Sequence, residues 1–177
     1  MIPVVITFFA LLALVALIGA VFLTTSGRRQ AVVEAIGPQA LTLAWLVAAT
    51  STLGSLFLSE VAGFTPCSLC WVQRGFMYPL AVVLLIPAVR SHWLRWLPWW
   101  ALTGASVSAY HYLEQHLPGL AGGDFCDPAV PCSTIWVDEF GFVTIPFMAL
   151  SGFLAISTLL WVHRRGHVNR SNAERTT

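Results

Sequence analysis

Charge is what this 177-residue chain has least of: Asp, Glu, Lys and Arg together make up 10% of it, against 57% hydrophobic residues. Lysine is absent, so all nine basic side chains are arginines. A net charge of +1 leaves no basic footprint for nucleic acid. So little charge also excludes an ordinary soluble domain, and a mean hydropathy of +0.76 points to several membrane-spanning helices. No internal repeat is present, which argues against an inverted-repeat transporter. The first apolar run has no positive charge ahead of it, and Arg28 and Arg29 follow it instead. A secretory signal has the reverse arrangement, so the run is read as a retained span. Cysteine is scarce too, with only four in the chain.

A helix needs about 20 mostly apolar residues to cross the hydrocarbon. Five stretches qualify: residues 2–24, 39–62, 71–89, 96–113 and 143–163. Helices satisfy their own backbone hydrogen bonds in lipid, so the expected fold is an all-α integral membrane protein. It should be a four-helix transmembrane bundle plus one additional N-terminal transmembrane helix. The first span holds no cysteine and no charge, and is read as an accessory helix. The expected divisions are residues 1–38 (that helix and its loop), 39–163 (the four-helix unit) and 164–177 (a disordered tail).

The placement of charge says more than its sum. Arg28/Arg29, Arg90/Arg95 and Arg164/Arg165/Arg170/Arg175 fall in three segments that five spans put on one side. The positive-inside rule makes that side cytoplasmic, with the N-terminus outside and the C-terminus inside. Glu60, Glu114, Asp124, Asp127, Asp138 and Glu139 lie on or beside the other side. Arg74 alone breaks the pattern, at the outer end of the third span. Trp71, Trp93, Trp96, Trp99, Trp100 and Trp136 sit near span ends, as an interfacial aromatic belt would.

The cysteines form two close pairs, both on the outer side. Cys67 and Cys70 follow Pro66 at the start of the third span, where a helix N-terminus favours a thiolate. Arg74 comes one turn after Cys70 and can reinforce that thiolate or polarise a ligand carbonyl. Its plainer role would be to snorkel to headgroups. Cys126 and Cys132 lie in a stretch from 114 to 142 without clear period, read as a mobile, exposed loop restrained by Pro118, Pro128 and Pro131. Two facing dithiols can carry electrons between a soluble donor and a lipid-soluble acceptor. The alternatives are static structural disulfides, a four-cysteine zinc site, or haem held by His111 and His116.

The segment Pro66-Cys67-Ser-Leu-Cys70-Trp-Val-Gln-Arg74-Gly-Phe-Met-Tyr78-Pro79 resembles the disulfide bond formation protein B family, closest to its BdbC-type members. His111-Tyr-Leu-Glu114-Gln115, Pro131-Cys132-Ser133 and Phe140-Gly141-Phe-Val-Thr-Ile-Pro146 extend the likeness in the same order. Vitamin K epoxide reductase-like proteins use similar parts, but with the loop pair ahead of the CxxC. The resemblance implies a quinone-dependent thiol oxidase in the cell membrane that serves a DsbA-like thioredoxin-fold partner. Cys67 and Cys70 would pass two electrons to ubiquinone or menaquinone, with Arg74 and Cys70 binding it. Cys126 would form the mixed disulfide with the partner, and Cys132 would exchange with Cys67. The family's common plan has four spans, so the first helix is a departure from it.

Overall fold

A computed structural model of the chain describes residues 2–25, 29–86, 93–117, 126–127 and 129–175. The expectations placed on Arg28, Arg90, Pro118, Asp124 and Pro128 lie outside those residues. The fold is all-α: α1 (Ile2–Thr25), α2 (Arg29–Ile36), α3 (Ala40–Leu56), α4 (Ser68–Leu85), α5 (Leu97–His116) and α6 (Ile145–Arg175). A π-helical turn, Phe57–Val61, extends α3. Among the described residues, four segments are long and apolar enough to cross a membrane: Ile2–Phe22, Ala40–Val61, Ser68–Leu85 and Ile145–Val168. α5 has the length of a span, but His111, Glu114, Gln115 and His116 dilute its C-terminal end.

α6 is the hub, packing against α5, α1 and α3, while α4 lies between α3 and α5. Helices in lipid associate by close packing of small residues rather than by a hydrophobic drive. Ala40, Ala44 and Ala48 accordingly form a buried stripe on α3. Gly104 of α5 lets the Phe153 ring of α6 lie where a Cβ would come within 2.5 Å of it. Leu80, Leu84, Phe153, Ile156 and Leu160 fill the centre of the bundle.

Both ends of the bundle are pinned. At one end His163 Nδ1 donates to the Gly37 carbonyl at 3.3 Å, joining α6 to the end of α2. At the other, Ile6 of α1 clusters with Leu58 and Val137, so the N-terminus of α1 shares the cysteine-bearing end. The six tryptophans expected at an interface are all exposed.

Three expectations need correction. The first connection contains the short helix α2. The third span starts at Ser68 rather than near residue 71, because Cys67 itself caps it. The stretch after 163, expected to be disordered, continues as helix to Arg175. No proline follows Pro146, and extending a nucleated helix costs far less than starting one.

Candidate functional site: two cysteine pairs above an apolar cavity

Pro66 directs the chain into α4, and Cys67 takes the N-cap position with extended backbone, φ −75° and ψ 174°. Its sulfur replaces the usual cap oxygen and accepts from the Cys70 backbone N–H at 3.4 Å. The Cys70 and Cys67 sulfurs are 2.9 Å apart, both as free thiols. The sequence placed this pair at a helix start, and the cap geometry is the physical form of that placement.

His111, from the C-terminal end of α5, completes the group. Its Nε2 lies 3.6 Å from Cys67 Sγ and 3.1 Å from the Cys132 carbonyl oxygen. A carbonyl only accepts, so Nε2 is the protonated nitrogen in that bond. The Cys67 thiol is held well below its ordinary pKa. The largest cause is the hydrogen bond from the Cys70 thiol. Burial opposes the shift, and His111 adds to it. Haem ligation and membership of the family-like His111–Gln115 segment are the readings the sequence offers for His111, and nothing in a linear reading ties it to Cys67.

Cys126 and Cys132 are joined in a disulfide, with Cα atoms 5.8 Å apart. The expectation of an exposed pair fails for Cys132, which is only 2% exposed and packs in one cluster with Cys67 and Leu69. Cys126 is half-buried and borders the same cluster. The loop is drawn onto α5 by its own hydrogen bonds. Gln115 Nε2 donates to the Thr134 carbonyl at 3.2 Å, and the Tyr112 hydroxyl donates to the Phe142 carbonyl at 3.2 Å. A tight turn with positive φ at Phe140 (57°) and Gly141 (76°) closes the Glu139–Val143 bridge and returns the chain to α6. Buried Glu114 sits beside this disulfide, its Oε1 3.7 Å from Cys126 Sγ.

The possible metal-ligand groups divide the same way. Among the described residues, Cys67, Cys70 and His111 form one group, and Glu114, Cys126 and Cys132 another. The four sulfurs thus do not meet as a single four-cysteine cluster, and two of them are consumed by a disulfide. Haem needs opposed axial ligands, yet His116 turns back to the Tyr112 carbonyl at 2.9 Å while His111 faces the cysteines.

Beneath Cys70 lies a cavity of about 330 Å³ between α1, α3, α4 and α6. Cys70, Arg74, Ser55 and Tyr78 are among its polar lining, and Leu46, Val47, Met148 and Phe153 among its apolar walls. Arg74 does not snorkel outward. Its Nε donates to Ser55 Oγ at 3.0 Å and its Nη2 to the Ser55 carbonyl at 3.1 Å. The Tyr78 hydroxyl donates to the same Oγ at 3.4 Å, and the Trp71 ring lies 5.1 Å below the guanidinium carbon. Ser55 precedes the π turn by two residues, at the kind of ladder irregularity that recurs at functional sites. The cavity thus joins an end carrying Arg74, Ser55 and Tyr78 to an apolar body.

The comparisons agree with this chemistry. A sequence model of the family described as disulfide bond formation protein DsbB matches residues 37–163. Disulfide bond formation protein C of Bacillus subtilis (strain 168) is 45% identical over 114 residues, covering 63% of this chain and 83% of its own. A probable disulfide formation protein of Oceanobacillus iheyensis is 43% identical over 122 residues, 67% of this chain and 84% of the relative. One from Coxiella burnetii (strain Dugway 5J108-111) is 42% identical over 125 residues, 68% and 84% respectively. No solved structure matches. With helices that cross the membrane, paired cysteines and a family match over most of its length, the chain belongs to the disulfide bond formation protein DsbB family, as a multi-pass membrane protein with a thiol oxidoreductase role.

Proposed function

We propose that the protein is a quinone-dependent thiol oxidase that reoxidises a DsbA-like thioredoxin-fold partner outside the cytoplasm. One observation carries this reading. Cys70 of the first pair lines an apolar cavity beside Arg74, while the second pair packs against Cys67 from the loop side. The arginine distribution supports placing the cysteine end outside, in the cell membrane, and the C-terminus inside. Residues 39–163 would form the redox unit.

The steps balance as thiol–disulfide exchange. A partner thiolate attacks Cys126 Sγ, the Cys126–Cys132 bond breaks, and Cys132 leaves as a thiolate. The partner's second thiol displaces Cys126, and the partner departs oxidised. Cys132 then attacks Cys67 of a Cys67–Cys70 disulfide, releasing the Cys70 thiolate. Cys126 attacks Cys132 in the mixed disulfide, restoring the loop disulfide and freeing Cys67. The low pKa of Cys67 makes it a good leaving group in that last displacement. A bound quinone supplies the two-electron sink. Cys67 and Cys70 would give up two electrons and two protons to such an acceptor as their own disulfide closes again. Arg74 and Cys70 would hold its head, with Arg74 fixed by Ser55.

The test is purified protein mixed with a reduced thioredoxin-fold substrate and a soluble quinone analogue. Oxidation of the substrate coupled one-to-one to quinol formation is expected, and it should vanish in Cys70→Ser. Substrate oxidation that proceeds unchanged without quinone under anaerobic conditions would exclude the reading.

A further inference from the structure

The family match begins at residue 37, so α1 lies outside it. Yet Phe9, Leu12, Ala13 and Ala16 of α1 line the cavity that reaches Cys70 and Arg74. Phe9 lies against Gly54 of α3 so closely that a Cβ there would come within 3.0 Å of its ring. Ala10, Ala13 and Ala20 are buried, while Leu11, Val15, Ile18 and Phe22 are exposed on the rest of the helix. The helix is apolar all round, but its small residues are turned inward. It therefore closes a side of the cavity that would otherwise open to lipid.

The charged and amide groups of the cavity lie toward one end, where Cys70, Gln73, Arg74 and Ser55 gather. Further along, Thr50 and Ser51 add hydroxyls, that of Thr50 turned back to the Leu46 and Val47 carbonyls of its own helix, before the wall becomes Leu46 and Val47. Along α3 the lining runs inward from Ser59 to Leu46. At 1.5 Å per residue that is roughly 20 Å. Gln73 is 5% exposed, lines the cavity, and its Nε2 has no hydrogen-bond partner among the described residues. A buried donor left unpaired is costly, and an acceptor oxygen in the cavity would satisfy it. A carbonyl head with a long apolar tail matches both ends, whereas a bare acyl chain matches only the inner one.

We propose that α1 is a wall of the acceptor site, with Ala13 and Ala16 forming the surface against which the quinone's apolar tail lies. This rests on reading Cys70 and Arg74 as the site of the quinone head. The helix then sets which tails the site accepts, by the bulk of the side chains at these two positions.

Binding and labelling test this independently of turnover. A quinone carrying a photoreactive group partway along its tail should label α1 peptides of the unvaried protein, with the label centred on residues 9–16. Ala13→Phe and Ala16→Phe should each weaken equilibrium binding of a long-tailed quinone about tenfold, and binding of a tail-less analogue far less. Val15→Phe, on the exposed face, should change neither. Labelling confined to α3, α4 and α6, or equal effects of Ala16→Phe and Val15→Phe, would overturn the inference. So would labelling of α1 by a photoreactive phospholipid but not by the quinone. If the unvaried protein binds neither quinone, the oxidase reading fails first. If it binds and reduces both and only the α1 effects are missing, the inference alone fails.

Discussion

His111 Nε2 stands 3.6 Å from the Cys67 sulfur while also holding the Cys132 backbone carbonyl at 3.1 Å. One imidazole thus touches both cysteine pairs, and it favours Cys67 as a thiolate. Because the Cys70 thiol is the larger cause of that preference, the two contributions can be ranked. Titrating the thiolate ultraviolet absorbance of the reduced protein should show the Cys67 midpoint rising in both His111→Ala and Cys70→Ala. The rise should be larger in Cys70→Ala.

The same shift predicts a pH dependence of stability in the reduced protein. The folded-state pKa of Cys67 is depressed, so its contribution is fully present above the unfolded thiol value of about 8.5. It is lost progressively as pH falls toward the folded value. The stability difference between the reduced protein and Cys67→Ala should therefore shrink steadily on acidification from pH about 9. Thermal unfolding in detergent at a series of pH values reads this directly.

Ser55 holds Arg74 through both its hydroxyl and its carbonyl. Ser55→Ala removes the first bond and leaves the second, which should cost about 1–2 kcal/mol of positioning. The expected readout is a several-fold higher KM for the quinone analogue with kcat little changed. Arg74→Lys should be worse, because an ammonium cannot reproduce the forked contact.

Gly104 admits the Phe153 ring at a distance no side chain would allow. Gly104→Val should destabilise the bundle by about 1–3 kcal/mol through overpacking. Adding Phe153→Leu should recover part of that loss, which a double-mutant cycle on unfolding midpoints measures.

Cys132→Ser should leave Cys126 without its internal resolving partner. A mixed disulfide between Cys126 and the thioredoxin-fold partner should then accumulate and appear on non-reducing gels. Cys126→Ala should give no such species.

The helices were legible because lipid demands long apolar runs, and those survive in any reading of residues 2–24, 39–62 or 143–163. The Cys67/Cys70 site was legible because Pro66, a CxxC and an out-of-place Arg74 follow one another along one helix. Ser55 was not, since nothing in α3 marks which turn will face Arg74; that depends on how two helices cross. The role of α1 was hidden for a related reason. A helix apolar on every side gives no hint of which face is covered, and only packing against Gly54 and α6 decides it. The burial of Cys132 was equally invisible, because it comes from hydrogen bonds between a loop without period and the tip of α5.

Those bonds moor the loop. With Gln115 on Thr134, Tyr112 on Phe142 and His111 on Cys132, the Cys126–Cys132 bridge cannot swing far out to meet a donor. Under the proposed function, a soluble partner would have to come to the membrane surface and present its cysteines there. In return, the proposed second exchange would need no search: the two cysteine pairs are already neighbours, and the step would gain the speed of an intramolecular reaction.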